Sequence, residues 1–348
     1  MAFINFQPKD YFNTKLWNGN SSTQAITGVG FQPDFVWLKQ RTGTQRHQLL
    51  DAIRGANVIL KSDGTDASGA DTDILNSFDS DGYTLGYQDQ SNDTGATYVG
   101  WNWKANGSGS SNTDGSITST VSASTTSGFS IVKWTGSGGN ATIGHGLGAV
   151  PKMIIVKSLA NTTSWMVYHS AIGNNSEIYL NGTNAAAGSS TAWQDTDPTS
   201  SVFYVAGGAG DGVNASGDYV AYCFADIKGF SKFGSYEGNA NADGAFLYCG
   251  FKPAFIIIKN ADDGSKNWVM LDNKRPSTGQ NPADDILFPN TSGAESSSQT
   301  DRLVDFVSNG VKIRATSTQM NGSGNTHIFM AFAEEPLVSS NGVPAVAR

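Results

Sequence analysis

The side chains able to do acid–base, metal or nucleophilic chemistry are few in this chain and widely separated. Glycan hydrolysis needs two carboxyl groups facing one another across a site. Only five glutamates are available, Glu177, Glu237, Glu295, Glu334 and Glu335. Glu334 and Glu335 are adjacent, so they point to opposite faces of any strand that holds them. Asp79 and Asp81 alternate, but within Asp79-Ser80-Asp81-Gly82, where turn chemistry accounts for both. The same four residues resemble the start of a calcium loop, yet Gln90 stands where a bidentate carboxylate would close it. The acidic pairs Asp71/Asp73, Asp195/Asp197, Asp262/Asp263 and Asp284/Asp285 fall in loop-like segments. The histidines His47, His145, His169 and His327 show no metal-ligand spacing. No catalytic residue, metal site or cofactor is expected.

Two further features invite a functional reading. The stretch Gly207-Gly208-Ala209-Gly210-Asp211-Gly212 lacks the lysine and the following helix of a phosphate loop, so it reads as a flexible connection. Trp193 lies in the polar segment Ser189 to Asp195 with no counterpart elsewhere in the chain. An isolated Trp in a polar loop is expected to be an exposed contact for a partner or a sugar. Trp101, Trp103, Trp165 and Trp268 recur at matched positions and are expected in the core. Cys223 and Cys249, the only cysteines, sit in apolar stretches and predict buried free thiols.

Those residues hang on elements that repeat three times. GFQPDFVWLK at residues 30–39, GAVPKMIIVK at 148–157 and GFKPAFIIIK at 250–259 each place Pro fourth and close an apolar run with Lys. Proline lacks a donor and suits the start of a strand. The unbroken β-branched and aromatic run after it predicts a strand buried on both faces. Pro33, Pro151 and Pro253 therefore anchor three units of about a hundred residues each.

Each unit ends on an aligned strand, Tyr98–Trp103, Tyr219–Phe224 or His327–Phe332. Trp101, Tyr222 and Met330 occupy the same position of that strand. A period of two puts Val99, Trp101 and Trp103 on one bulky face and Gly100 and Asn102 on a small one. A second layer is expected close to the small face. Asp81-Gly82 and Asn309-Gly310 predict hairpins in the outer units, and the middle unit has no such turn.

The chain of 348 residues carries a net charge of −8 and only 15% charged residues, with 41 glycines. This composition suits short strands and tight turns rather than helical bundles. No Lys/Arg stripe suggests nucleic acid. No apolar run approaches the roughly 18 residues of a membrane span. The opening MAFINFQPKDYF has no basic or apolar leader pattern, so no signal peptide is expected. The fold expected is all-β, three tandem related β-sandwich domains of jelly-roll type at 1–110, 111–228 and 229–338, with a C-terminal extension at 339–348. Ala105 to Gly128 is the one candidate linker, and Ile117 and Val121 predict that part of it forms an edge strand.

The segments CFADIKGFSKFGSYEGN, YCGFKPAFIIIKN, NWVMLDNKRP, DFVSNGVKIR, AFAEEPL and SSNGVPAVAR resemble a domain recurrent in virion proteins of tailed bacteriophages, notably marine ones. The resemblance spans nearly the whole chain and is most specific in the third unit. It implies a non-enzymatic virion structural protein, a tail fibre or appendage component engaged in host attachment. Capsid decoration and a glycan-binding or glycan-degrading tailspike are the alternatives. The implied partners are other virion proteins, copies of the chain in a homo-oligomer with a trimer as first candidate, and a host-surface glycan or receptor. The implied location is the virion exterior, after synthesis in the host cytoplasm.

Overall fold

The computed structural model describes residues 6–188, 191–207, 212–276, 279 and 281–336. Helix among them is limited to single turns, and nearly everything else that is regular is strand. Each unit consists of a large antiparallel sheet facing a small one, so the sandwich expectation holds. In the first unit the large sheet runs Phe12–Asn18, Thr97–Trp103, Phe35–Gln40, Gln48–Asp51, Gly55–Leu60, Gly69–Ala70. The second unit repeats that order from Phe129–Gly136 through Gly217–Ala225, Pro151–Ser158, Met166–His169 and Ser176–Tyr179. The third repeats its start with Ser231–Glu237, Thr326–Pro336, Phe251–Asn260 and Val269–Asp272.

The opening, closing and proline strands pair as in the start of a jelly roll. The winding then departs from one, because the chain meanders onward within the large sheet. The small sheets are Gln24–Ile26, Gly82–Leu85 and Leu75–Asp79 in the first unit, and Phe246–Tyr248, Gly310–Ile313 and Val304–Val307 in the third. The middle unit has two strands there, Ala141–Gly144 and Val202–Val205, which agrees with its missing turn signal.

The register is the same in all three units. Phe35 pairs with Trp103 and Trp37 with Trp101; Met153 pairs with Phe224 and Ile155 with Tyr222; Phe255 pairs with Phe332 and Ile257 with Met330. Pro33 precedes its strand, whereas Pro151 and Pro253 sit at ladder irregularities, where the missing N–H leaves no gap in the pairing. The residue between the two bulky positions of the closing strand is small for a steric reason. A side chain at Gly100 would meet the Tyr83 hydroxyl of the second layer and the Trp17 ring of the neighbouring strand.

The three units do not form a string of separate domains. Phe35, Trp37, Trp101 and Trp103 of the first unit share one core cluster with Ile155, Tyr222 and Phe224 of the second and with Phe255, Ile257, Met330 and Phe332 of the third. The opposite faces pack under each unit's own small sheet, with Val36, Leu38 and Tyr98 in one cluster and Ile154, Val156, Ala221 and Cys223 in another. Rings from different units touch directly. Phe35 stacks on Tyr222 at 4.3 Å, and Phe12 stacks on Phe332 at 5.2 Å. The centre leaves no room for a water molecule. Each buried aromatic removes about 150–250 Å² from water, so the shared interior contributes tens of kcal/mol before chain entropy is counted.

The arrangement closes on itself. The N–H groups of Ser68, Ala186 and Glu295 donate to the carbonyls of Leu159, Ala261 and Arg41, each two residues beyond a proline-strand lysine of the next unit. The rings of Trp165, Trp268 and His47 each bond a carbonyl of the preceding unit, at Lys61, Tyr179 and Phe288 respectively. First binds second, second binds third, and third binds first.

The expected linker is likewise tied down. Asp34 accepts from the N–H groups of Ala105 and Gly107, and Ser110–Asn112 and Ser119–Ser124 extend the second large sheet. The extension 339–348 lies outside the described residues. A shared core predicts one cooperative unfolding event. Differential scanning calorimetry is expected to give a single endotherm with a van't Hoff to calorimetric enthalpy ratio of about one; three resolved endotherms would mean independent units.

Candidate functional site

Ionisable groups gather at the junctions between units rather than in an open site. Between the third and first units, Arg275 Nε bonds Asp272 at 2.6 Å and its Nη1 bonds Glu295 at 2.8 Å. Arg41 forms a fork on the same Glu295. The Trp101 indole donates to Asp272 at 2.9 Å, and the Arg275 guanidinium lies 5.5 Å from the Trp101 ring centre. Asp272 and Arg275 are fully buried. Burial pushes the Asp272 carboxyl up, but the Arg275 charge, its hydrogen bond and further donors outweigh this and hold it below its usual range. Two carboxylates do meet here, contrary to the sequence pattern of scattered acids. Both are engaged with the buried Arg275, and Asp272 is not held protonated as a general acid must be.

The junction between the first and second units repeats the geometry. Arg54 Nε bonds Asp51, and the Tyr222 hydroxyl donates to Asp51 at 2.8 Å while accepting from Arg54 at 3.0 Å. Beside it lies a cleft of about 340 Å³, walled by Arg54, Ser68, Lys133, Leu159 and Asp218 among others. Its charged groups are already matched, with Lys133 on Asp218 at 2.9 Å and Arg54 on Asp51. The Ser68 hydroxyl donates to the Leu159 carbonyl rather than facing a base. The cleft can hold a small polar group, but its wall carries no assembled nucleophile.

All four histidines are buried. Three share one mode. Nδ1 accepts, from the Trp37 indole at His47, the Leu147 N–H at His145 and the Ala171 N–H at His169. Nε2 faces a carbonyl, of Phe288, Thr199 and Phe329 in turn. An Nδ1 that accepts leaves the ring proton on Nε2, so these are neutral imidazoles. His327 stacks on Tyr236 at 5.0 Å, a packing role.

Trp193 requires a correction. It is only 2% exposed and packs edge-on against Tyr168 at 5.8 Å, within the core beneath the middle unit's two-stranded sheet. It therefore cannot serve as a surface contact. Among the described residues the middle unit's small sheet has no third strand, and the polar loop sets this indole against the apolar surface there. The missing turn, already visible in the sequence, was the signal for that role. The glycine-rich stretch lies mostly outside the described residues, at 208–211. Asp81 accepts from the N–H groups of Gly28 and Gly30, and Asp79 accepts from Ser77 and Thr84, as turn residues do. Both cysteines are buried and free. Burial raises both thiols, Cys249 to about 12, so neither is a ready nucleophile at neutral pH. Among the described residues no group of three or more His, Cys, Asp or Glu is placed to hold a metal ion.

Fold and site together define an all-β protein of three sandwich units closed around one core, with its most deeply buried ion pairs placed at the seams. The family profile described as "Domain of unknown function (DUF7483)" matches residues 7–336, and the chain belongs to that family. A search of curated proteins gives no match.

Two predictions follow from the seams. Asp272→Ala leaves a buried guanidinium short of a partner and is expected to cost about 3–5 kcal/mol in urea unfolding. Asp263→Ala, which removes a partly exposed ion pair with Lys266, is expected to cost less than about 1 kcal/mol. Acid acts through the histidines. Burial, the leading cause, lowers His169 to about 4 and sets His47, His145 and His327 below 6.5 as well. The unfolded chain then binds more protons than the folded one as pH falls from 6.5 toward 4. Stability should fall over that window by up to about 1.4 kcal/mol per pH unit for each histidine. Urea midpoints at pH 7 and pH 5 test this, and His169→Gln should flatten the slope.

Proposed function

We propose that this chain is a non-enzymatic structural protein of a tailed-bacteriophage virion, a tail fibre or tail appendage component that takes part in host attachment. The observation that carries the reading is the use made of the charged groups. The most deeply buried ion pairs, those of Arg275 and Arg54, are consumed in fastening one unit to the next, which is scaffold chemistry. The resemblance of the repeated segments to virion domains supplies the setting. No helix among the described residues is long and apolar enough to cross a membrane. Partners on this reading are other virion proteins, further copies of the chain with a trimer as first candidate, and a host-surface glycan or receptor.

The glycan-contacting reading has one specific observation in its favour, an exposed aromatic pair at Phe246 and Tyr248. A degrading activity would need a paired acid and base, and the buried Asp272 and Glu295 are a poor choice for it.

Labelled antibody against the purified chain, imaged on intact virions, tests the proposal. Label at the tail or its appendages is the expected result. Label spread over the head would favour capsid decoration instead, and none on the particle would defeat a virion role. Incubation with host polysaccharide is expected to release no reducing sugar.

A further inference from the structure

Large apolar side chains exposed among the described residues are Leu16, Tyr87, Val150, Phe246 and Tyr248. The last two differ from the others by sharing one strand. Phe246 and Tyr248 alternate with the buried Leu247 on the edge strand of the third small sheet, so both face outward. They are 46% and 61% exposed.

The repeat shows that packing does not require them. Leu247, Ile26 and Ile143 are the inward-facing large apolar residues of the corresponding strands, paired with Val311, Tyr83 and Phe203. The flanking positions are Ala25 and Thr27 in the first unit and Thr142 and Gly144 in the second. Only the third unit places aromatic rings there.

From this surface we infer a carbohydrate-stacking platform, in which Phe246 and Tyr248 offer their ring faces to successive sugars of a polysaccharide. The rings stand about 7 Å apart along the strand, a span that a disaccharide covers. Both lie low over glycines. A side chain at Gly310 would come within 3.0 Å of Phe246 Cζ, and one at Gly250 within 3.6 Å of the Tyr248 hydroxyl. Polar groups rim the rings. Lys312 is the cross-strand neighbour of Phe246 and pairs with the exposed Asp243 at 2.7 Å. The next pair across the sheet is Asp305 with Arg314 at 2.9 Å. Such groups can exchange their mutual bonds for sugar hydroxyls.

The size of the patch argues for a sugar over a second protein. The two rings expose about 200 Å² together, far below the roughly 800 Å² that each partner buries in a stable protein interface. This inference deepens the attachment reading and rests on it for the source of the glycan, a bacterial surface polysaccharide. The stacking itself does not depend on it.

Affinity electrophoresis of the whole chain tests the platform, with gels containing β-1,4-glucan, α-1,4-glucan, galactomannan or bacterial O-polysaccharide as probes. Retardation on at least one probe is expected, weakened tenfold or more in Phe246→Ala and in Tyr248→Ala and kept in Tyr248→Phe. Tyr87→Ala, an exposed ring elsewhere, should change nothing. Thermal melts of the variants should match the parent, because both rings are outside the core. Absence of retardation on every probe, or retardation unchanged in the double variant, would overturn the inference. So would a double variant that loses self-association in sedimentation, since the strand would then be a contact between copies. A failure to find the chain on virions would leave sugar retention intact, so the two ideas fail separately.

Discussion

Each proline strand leaves water no face to wet, and the remaining architecture follows from that. A strand covered on both sides needs two layers against it. The unit's own small sheet supplies one. The other must come from elsewhere, because Phe35, Trp37, Trp101 and Trp103 would otherwise present a broad aromatic surface to solvent. Two units could cover each other, but three sheets in a closed ring cover all three inner faces at once. The backbone bonds from Ser68, Ala186 and Glu295 to the following unit then satisfy polar groups that closure buries.

The lysine that ends each apolar run belongs to the same constraint. Lys39, Lys157 and Lys259 are fully buried. Each bends back onto the carbonyl of the next residue, and the latter two also reach a threonine carbonyl of the preceding unit, Thr65 and Thr183. Burial leads the lowering of Lys39 and Lys259 to about 8, against the raising effect of nearby carboxylates. An ammonium thus serves as a three-donor clamp where the strand ends and the next unit begins. Its desolvation is tolerated because carbonyl oxygens surround it.

Much of this was legible in the chain itself. The period of two in the closing strands, the small residues opposite their bulky ones, the doubly buried proline strands and the two outer hairpins all appear where the residues indicate them. The closure was not legible. Periodicity reports which face is apolar and says nothing about what covers it. Arg41 and Glu295 are separated by 254 positions, and no motif or spacing in the sequence links them. Those loops look solvated because their carbonyls and charges need partners, and the partners turned out to be the next unit. Trp193 misled for a related reason. Its polar neighbours describe the loop's outer side, while the indole answers to a strand that the middle unit lacks.

The three junctions share backbone geometry and differ in side-chain chemistry, and the differences match across each seam. Where the closing strand carries Tyr222 or Trp101, each with a polar hydrogen, the facing strand ends in a carboxylate and the turn after it carries an arginine, Asp51 with Arg54 or Asp272 with Arg275. Where it carries Met330, with no donor to offer, the corresponding positions are His169 and Ile172, and the histidine turns to the Phe329 carbonyl instead. An acid placed opposite Met330 would be buried with one donor fewer, and a methionine opposite Asp272 would strip that acid of its indole. Mismatched seams therefore cost more than matched ones. The repeated backbone bonds allow any unit to sit beside any other, and the unlike side chains select a single cyclic order. That order leaves the third unit's outer sheet, with its two aromatic rings, facing away from every seam.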